Sequence, residues 1–201
     1  MTFTFTIIII VITVLVSLAA FNDANLINKL ILYPRIMNGD PKEYYRFLTS
    51  GFIHGDFNHL LFNMFTLYSF GRVVEEFMGS GQMFLLLYLS GIIISSLPAF
   101  FKNRNNSQYR ALGASGGVSS ILFFSIYFAP WSKIGIMFLP GIPAILFGVL
   151  YIIYCIYMSK RGNDNIGHDA HLMGALYGLL FALILDPTHG QLFMQAIFHP
   201  M

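Results

Sequence analysis

The sequence predicts an all-α membrane protein in which six transmembrane helices pack together as a bundle. Hydrophobic residues make up 56% of the 201-residue chain and charged residues only 10%, whereas a soluble domain carries about 25% charged residues. The mean hydropathy is +0.68. Six apolar segments approach the length that crosses a bilayer. Because lipid cannot satisfy open backbone groups, each segment must form a helix.

The predicted helices cover, in order, residues 5–21, 57–74, 82–101, 114–130, 136–158 and 170–186. The first segment could instead be a secretory signal, with Ser17-Leu18-Ala19-Ala20 as its small-residue cleavage site. It lacks the basic flank of a signal peptide, so we expect a retained helix. Neither a repeat nor a linker is visible, and we expect residues 1–201 to form a single domain.

Composition also excludes some classes of function. The formal net charge is +2, and no basic run of the kind that binds nucleic acid is present, so nucleic acid is not an expected partner. Cys155 is the single cysteine. With no partner cysteine, both an intrachain disulfide and a cysteine-based metal site are excluded. We expect Cys155 to serve packing.

The polar connections between the helices indicate where the chemistry lies. Residues 22–56, 102–113 and 159–169 form the three longer connections, and alternating helix directions place all three on one side of the membrane. Each leads into an even-numbered helix that carries a polar side chain near its start. These side chains are His59 and Asn63 in the second helix, Ser115 in the fourth and His171 in the sixth. They are expected to lie at similar depth.

Ser115 and His171 are the strongest catalytic candidates. Polar groups at membrane depth are costly and are functional by default, and a serine beside an imidazole is a nucleophile with its base. Small residues allow helix backbones to approach closely within a membrane, which would bring the fourth and sixth helices together. The small residues around the pair are Gly113, Gly116, Gly117, Ala170, Gly174 and Gly178.

Three motifs resemble those of rhomboid intramembrane serine proteases of the compact six-helix bacterial type. Gly113-Ala114-Ser115-Gly116 resembles their G-x-S-G, and residues 170–178 resemble the A-H-x-x-G-x-x-x-G of their sixth helix. The spacing of His54, His59 and Asn63 is similar to the H-x4-H-x3-N of their second helix. The motifs occur in the family's order, and the resemblance covers roughly residues 43–186.

The resemblance implies an intramembrane serine endopeptidase that uses a dyad and needs no cofactor or metal. Ser115 would attack the peptide carbonyl and His171 would act as the base, while His59 and Asn63 would stabilise the oxyanion. The expected substrates are single-pass transmembrane proteins in the lipid bilayer. Supporting positions implied by the family's motifs are His54, Gly113, Gly116, Ala170, Gly174 and Gly178. His54 could instead be a solvated histidine at the membrane interface.

The sequence departs from the family's pattern at Ser119. Four residues after the nucleophile, rhomboids often carry an aromatic side chain that stacks on the catalytic histidine, and here a serine stands in its place. What orients His171 is therefore open. Asp169 precedes His171 by two positions and would point to another face of the helix. We reject it as the acid of a triad.

Two features of the sequence predict opposite orientations in the membrane. Lys and Arg are concentrated in the three longer connections, and the positive-inside rule would place that side in the cytoplasm. Compact bacterial rhomboids open their site to the exterior. Following the resemblance, we expect a multi-pass protein of the cell membrane whose active site opens on the extracytoplasmic side.

Two other classes of function remain as alternatives. One is a non-catalytic rhomboid-like protein that binds membrane-protein clients. The other is a metal or haem membrane protein whose ligands would come from His54, His59, His168 and His171, but that assignment would leave Ser115 and its glycines without a role.

Overall fold

The computed structural model describes residues 4–136, 139–161 and 167–198, and the described part is almost entirely helical. Its α-helices are α1 (Phe5–Phe21), α2 (Ala24–Leu30), α3 (Pro34–Met37), α4 (Arg46–Thr49), α5 (Phe57–Met78), α6 (Gly81–Asn103), α7 (Ser115–Phe128), α8 (Ala144–Arg161), α9 (His168–Leu185) and α10 (His189–Phe198). Two 3₁₀ turns cover Pro41–Tyr45 and Ser50–Phe52. Strands β1 (Lys133–Ile136) and β2 (Leu139–Pro143) form an antiparallel hairpin.

The six predicted helices correspond to α1 and α5–α9. Helix α1 has the predicted bounds, and α5 continues four residues beyond the predicted end, to Met78. Local capping explains where α1 and α5 begin. Thr4 accepts a hydrogen bond from the Ile7 backbone N–H, and Asp56 accepts one from the His59 backbone N–H. These side chains satisfy backbone donors that the first helical turn leaves open.

The predicted start of the fifth helix, at residue 136, was wrong. The chain forms the β1–β2 hairpin first, and α8 begins only at Ala144. Pro140 and Pro143 lack the backbone N–H that a helix interior needs. The backbone N–H of Ala144 instead donates to Ser132 O at 2.8 Å, and that of Ile145 donates to Pro130 O at 2.8 Å. The apolar composition of this segment hid the hairpin.

Within the described ranges, three helices are long and apolar enough to cross a membrane: α6, α8 and α9. Helices α1 and α7 are apolar but shorter. Helix α5 has sufficient length but carries Arg72, Glu75 and Glu76 near its C-terminal end. The predicted helical class is therefore confirmed, with three helices of membrane-spanning length and composition in the described ranges.

Helix α7 lies at the centre of the bundle. Its side chains are buried along most of its length, and its most extensive contacts are with α9, followed by α6 and α5. The α9 contact is made backbone to backbone. A Cβ atom at Gly174 would collide with Gly116 O, and one at Gly178 would collide with Ser120 O. Only glycine permits this approach at both levels.

Ser120 adds hydrogen bonding to this contact. Its hydroxyl lies 2.9 Å from Gly116 O in its own helix and 3.0 Å from Gly174 O in α9. Helix α6 also approaches α7 closely, because a Cβ atom at Gly116 would collide with the Ser95 side chain of α6. Gly116 is therefore enclosed by neighbouring helices on two sides, which fixes the depth of the first turn of α7.

The first long connection is folded and packs beside the beginning of α7. The buried Arg46 side chain donates from Nη1 to Asn28 O at 2.7 Å and to Ile31 O at 2.9 Å. Leu32 pairs with Ala111 in an isolated antiparallel bridge. Residues 24–52 thus form a layer of short helices that is hydrogen-bonded to the segment preceding Ser115.

We predict that Gly174→Ala destabilises the protein, because the added methyl group collides with the Gly116 backbone, which cannot move without displacing α7. Overpacking of this kind costs about 1–3 kcal/mol. The thermal unfolding midpoint of detergent-purified protein should fall. The matched control is Gly135→Ala, where an added Cβ meets nothing within 4 Å, and its midpoint should be that of the parent. Equal midpoints for the two variants would contradict the backbone contact.

Candidate active site

Ser115 is the first residue of α7 and follows a turn that requires glycine. Gly113 has φ of +117°, which L side chains rarely adopt. A Cβ atom there would also lie 2.6 Å from His59 Cε1. The His59 ring therefore lies against the backbone two residues before Ser115, as the predicted convergence of the second and fourth helices requires.

The first turn of α7 offers uncapped backbone donors. Ala114 is the N-cap residue and makes no side-chain capping hydrogen bond. The first N–H groups of a helix have no partner within the helix, and the helix dipole favours negative charge there. An oxyanion formed next to Ser115 would meet this partial positive charge.

His54 fixes the turn before Ser115. The Ala114 backbone N–H donates to His54 Nε2 at 3.3 Å, and His54 Nδ1 lies 2.9 Å from Ser17 Oγ in α1. Because Ser17 Oγ donates to Phe52 O at 3.0 Å, Nδ1 must carry the proton and donate to Ser17. The imidazole is thus held neutral in one tautomer. It joins α1, the first connection and the start of α7.

The alternative of a solvated His54 was wrong, since the side chain has no exposed surface. Burial, and to a smaller extent the nearby His59, lowers the pKa of His54 to about 3, although Asp56 opposes the shift. A charged imidazole would lose the acceptor that receives the Ala114 N–H.

His59 and Asn63 lie on one face of α5. The His59 ring packs edge-on against His54, with centroids 4.9 Å apart and an interplanar angle of 75°. Asn63 is buried, and its Nδ2 donates to His59 O at 2.9 Å in the preceding turn. A primary amide carries two N–H groups, and this bond engages one of them.

His171 lies in the first turn of α9 and is half-buried. Its ring is stacked with that of Tyr151 from α8, with centroids 6.1 Å apart and an interplanar angle of 17°. The Tyr151 hydroxyl lies 2.7 Å from Ser119 Oγ. Tyr151 therefore supplies the aromatic surface that the sequence lacks at position 119, and Ser119 anchors it. Sequence reasoning missed this residue because several tyrosines occur in the fifth helix.

Two sets of contacts hold the first turns of α7 and α9 at the same level. Gly174 lies three residues after His171 and contacts the backbone of Gly116, the neighbour of Ser115. Ser119 lies one turn after Ser115 and binds Tyr151, which stacks on His171. Among the other small residues predicted to support the site, Gly178 contacts α7, while Ala170 is half-buried in the first turn of α9.

Asp169 has partners at the ends of two other helices. One carboxylate oxygen accepts from Lys102 Nζ at 3.2 Å, and the other accepts from the Ser159 hydroxyl. The carboxylate thereby ties the start of α9 to the ends of α6 and α8. These contacts account for Asp169 as a structural residue.

A second cluster of chemical groups adjoins His171. The potential ligand atoms of Cys155, His168 and His171 all lie within 4.8 Å of one another. Within the described ranges, it is the one such group of three, so it does not include His54 and His59 as the four-histidine alternative assumed. The prediction that a cysteine-based metal site is excluded rested on the lack of a second cysteine, but the donors beside Cys155 are two imidazoles.

Comparisons with known proteins identify a family and several relatives. A family model described as the Rhomboid domain matches residues 41–187. The chain is 30% identical over 177 residues to RHOMBOID-like protein 12, mitochondrial, of Arabidopsis thaliana, which covers 81% of this chain and 52% of that protein. It is 33% identical over 135 residues to Rhomboid protease GluP of Bacillus subtilis, covering 67% of this chain and 25% of that protein.

A third relative is Presenilin-associated rhomboid-like protein A, mitochondrial, of Danio rerio. It is 33% identical over 135 residues, which cover 66% of this chain and 35% of that protein. The chain therefore spans about half the length of the Arabidopsis relative and smaller shares of the other two.

We predict that acidification destabilises the fold through His54. An unfolded histidine binds a proton near pH 6.5, whereas folded His54 stays neutral down to about pH 3. Between these values the unfolded state binds more protons, so stability falls as pH falls, by up to about 1.4 kcal/mol per pH unit for this group. Thermal midpoints measured from pH 7 to pH 5 should decline less steeply for His54→Gln. Parallel slopes for parent and variant would refute the assignment.

Proposed function

The chain belongs to the rhomboid family, and from this premise we propose that it is an intramembrane serine endopeptidase. Its substrates would be single-pass transmembrane proteins, cut in or near their membrane segments. One relative is named as a protease, whereas others are named only as rhomboid-like. The observation that carries the proposal is the close contact of α7 and α9, which holds the helix turns bearing Ser115 and His171 side by side.

In the proposed reaction, His171 takes the proton of the Ser115 hydroxyl as the serine oxygen attacks the peptide carbonyl. The tetrahedral intermediate collapses when His171 returns the proton to the leaving amine, which leaves an acyl-enzyme. Water, activated by the same histidine, then releases the acid product. These reaction steps require no cofactor.

The oxyanion would be stabilised by backbone N–H groups at the start of α7 together with His59 and Asn63. The position of the His59 ring against Gly113 supports this role, as does the absence of a side-chain cap at Ala114. Removing one such donor typically lowers the rate about 10²- to 10³-fold.

The tyrosine stack would keep the base in a productive orientation. Stacking on Tyr151 restricts rotation of the His171 ring, and the Ser119 hydrogen bond restricts rotation of Tyr151. Ser119 has no ring that could stack on His171, so it acts through its hydrogen bond to Tyr151. Both are therefore positioning residues, distinct from the reacting pair.

We further propose that α1 and α5–α9 form six membrane-spanning helices in the cell membrane, with the site opening on the extracytoplasmic side. The glycine contacts and the shared level of α5, α7 and α9 support a common direction for these helices. Two of the relatives are mitochondrial by name. Which cellular membrane holds this protein is therefore a question for experiment.

We predict that a fluorophosphonate probe labels the purified protein at Ser115. Ser115→Ala should abolish labelling and cleavage of a transmembrane reporter, and His171→Ala should do the same because the hydroxyl loses its base. The matched control is Ser125→Ala, which removes another half-buried α7 hydroxyl that donates within its own helix, to Leu122 O at 2.7 Å, and this variant should label normally.

Two results would end the protease proposal. In one, folded parent protein is neither labelled nor able to cleave the reporter, which would favour the non-catalytic client-binding alternative. In the other, Ser115→Ala is labelled as strongly as the parent.

We predict that Tyr151→Ala slows reporter cleavage by up to about 10²-fold, the scale of a small misplacement of a catalytic group. Tyr151→Phe keeps the ring and should retain most activity. Because Tyr151→Phe and Ser119→Ala remove two ends of one hydrogen bond, their effects should not add in the double variant. The control is Tyr157→Ala, an exposed aromatic of the same helix. Parent-like rates for Tyr151→Ala would contradict this role.

For orientation, we predict that a cysteine placed at Ser107 reacts with a membrane-impermeant maleimide in intact bacterial cells, while one placed at Gln82 does not. Both positions are exposed, and they lie at opposite ends of α6, whereas Cys155 is buried. The reverse labelling pattern would place the site on the cytoplasmic side, as the distribution of Lys and Arg suggests.

A further inference from the structure

Cys155, His168 and His171 form a compact set of donor atoms where α8 and α9 meet. Their potential ligand atoms all lie within 4.8 Å of one another. Cys155 and His168 are buried, and His171 is half-buried. The proposed hydrolysis uses only His171, so it gives no reason for a thiol and a second imidazole at this place.

The spacing follows from the two helices. His168 and His171 are three residues apart in α9 and share a face, on which their rings are 5.9 Å apart between centroids. Cys155 faces them from α8, and it lies close to the end of that helix at Arg161. The set therefore lies at the end of the bundle that carries the starts of α7 and α9.

The donor types suit one class of metal ion. Thiolate and imidazole ligands favour zinc and related borderline-soft ions, whereas magnesium and calcium prefer oxygen ligands. Zinc binds sulfur at about 2.3 Å and nitrogen at about 2.0–2.1 Å, so ligand atoms of a tetrahedral site stand roughly 3.3–3.7 Å apart. The cluster would need to contract by about 1 Å at its widest, which small side-chain rotations provide.

We propose that Cys155, His168 and His171 bind a zinc ion through one sulfur and two nitrogen ligands, with the fourth position open to water. Binding requires the Cys155 thiolate, so the thiol proton is released to solvent.

Zinc at this place would block the reaction. A neutral imidazole has one ring nitrogen with a free lone pair, while the other carries a proton. Zinc would occupy that lone pair, so His171 could no longer accept the Ser115 proton. A bound ion would also hold the ring in the orientation set by Cys155 and His168. Zinc would therefore act as a reversible inhibitor. This consequence rests on the proposed protease function, whereas the metal site itself does not.

Binding is tested directly with cobalt and zinc on the full-length protein in detergent. Cobalt should produce a near-ultraviolet thiolate charge-transfer band, which added zinc removes. Cys155→Ser should abolish the band and weaken zinc binding, measured against a chromophoric chelator, at least about 10-fold. His168→Asn, a second variant in case the first does not fold, should weaken zinc binding to a similar degree. His189→Gln in α10 is the control histidine. No band, or unchanged zinc affinity in both ligand variants, would overturn the site.

Inhibition is tested by adding zinc before the fluorophosphonate probe. Zinc should slow labelling of the parent at least about 10-fold, a chelator should restore it, and His168→Asn should respond only at correspondingly higher zinc. A parent that shows the cobalt band but is never labelled would defeat the protease proposal and leave the metal site standing. A parent that is labelled normally and neither binds nor responds to zinc would defeat the metal site alone.

Discussion

The backbone contact between α7 and α9 is the constraint on which the rest of the structure depends. Gly174 and Gly178 press against Gly116 and Ser120 at two successive levels, where no larger residue fits. Lipid provides little hydrophobic force between helices, so close packing and hydrogen bonds must hold them together. The contact sets the relative depth of the two helices. In doing so, it sets the levels of the first turns that carry Ser115 in α7 and His171 in α9.

The first connection provides the second constraint, because it determines where the turn before Ser115 lies. His54 holds the Ala114 N–H from one side and Ser17 of α1 from the other, and Arg46 holds the connection itself together. A polar network inside a low-dielectric bundle is favourable only when its members are satisfied. The neutral, single-tautomer imidazole meets that requirement. The helix start that faces the proposed oxyanion is thereby kept in place.

Two sets of neighbouring residues bear on the His171 imidazole. Tyr151 stacks on it and is itself held by Ser119, one turn beyond Ser115. Cys155, one turn after Tyr151 in α8, and His168 bring groups that suit zinc close to the same imidazole. One imidazole can serve either as a proton acceptor or as a metal ligand, but not through the same nitrogen at once. The position of α8 thus bears on both the orientation of the base and its availability.

The sequence by itself determined the membrane class, the order of the main helices, and the spacing that places Ser115, His171 and His59 near helix starts. Those features depend on composition and on periodicity along the chain, which are local. Only the tertiary structure decided that α8 begins after a hairpin, that Tyr151 replaces the aromatic missing at Ser119, and that Cys155 meets His168 and His171. The hairpin is local but was hidden by the apolar composition of its segment, whereas the other two features depend on how one helix is rotated and placed against another. Such contacts between distant residues leave no periodic trace in the chain.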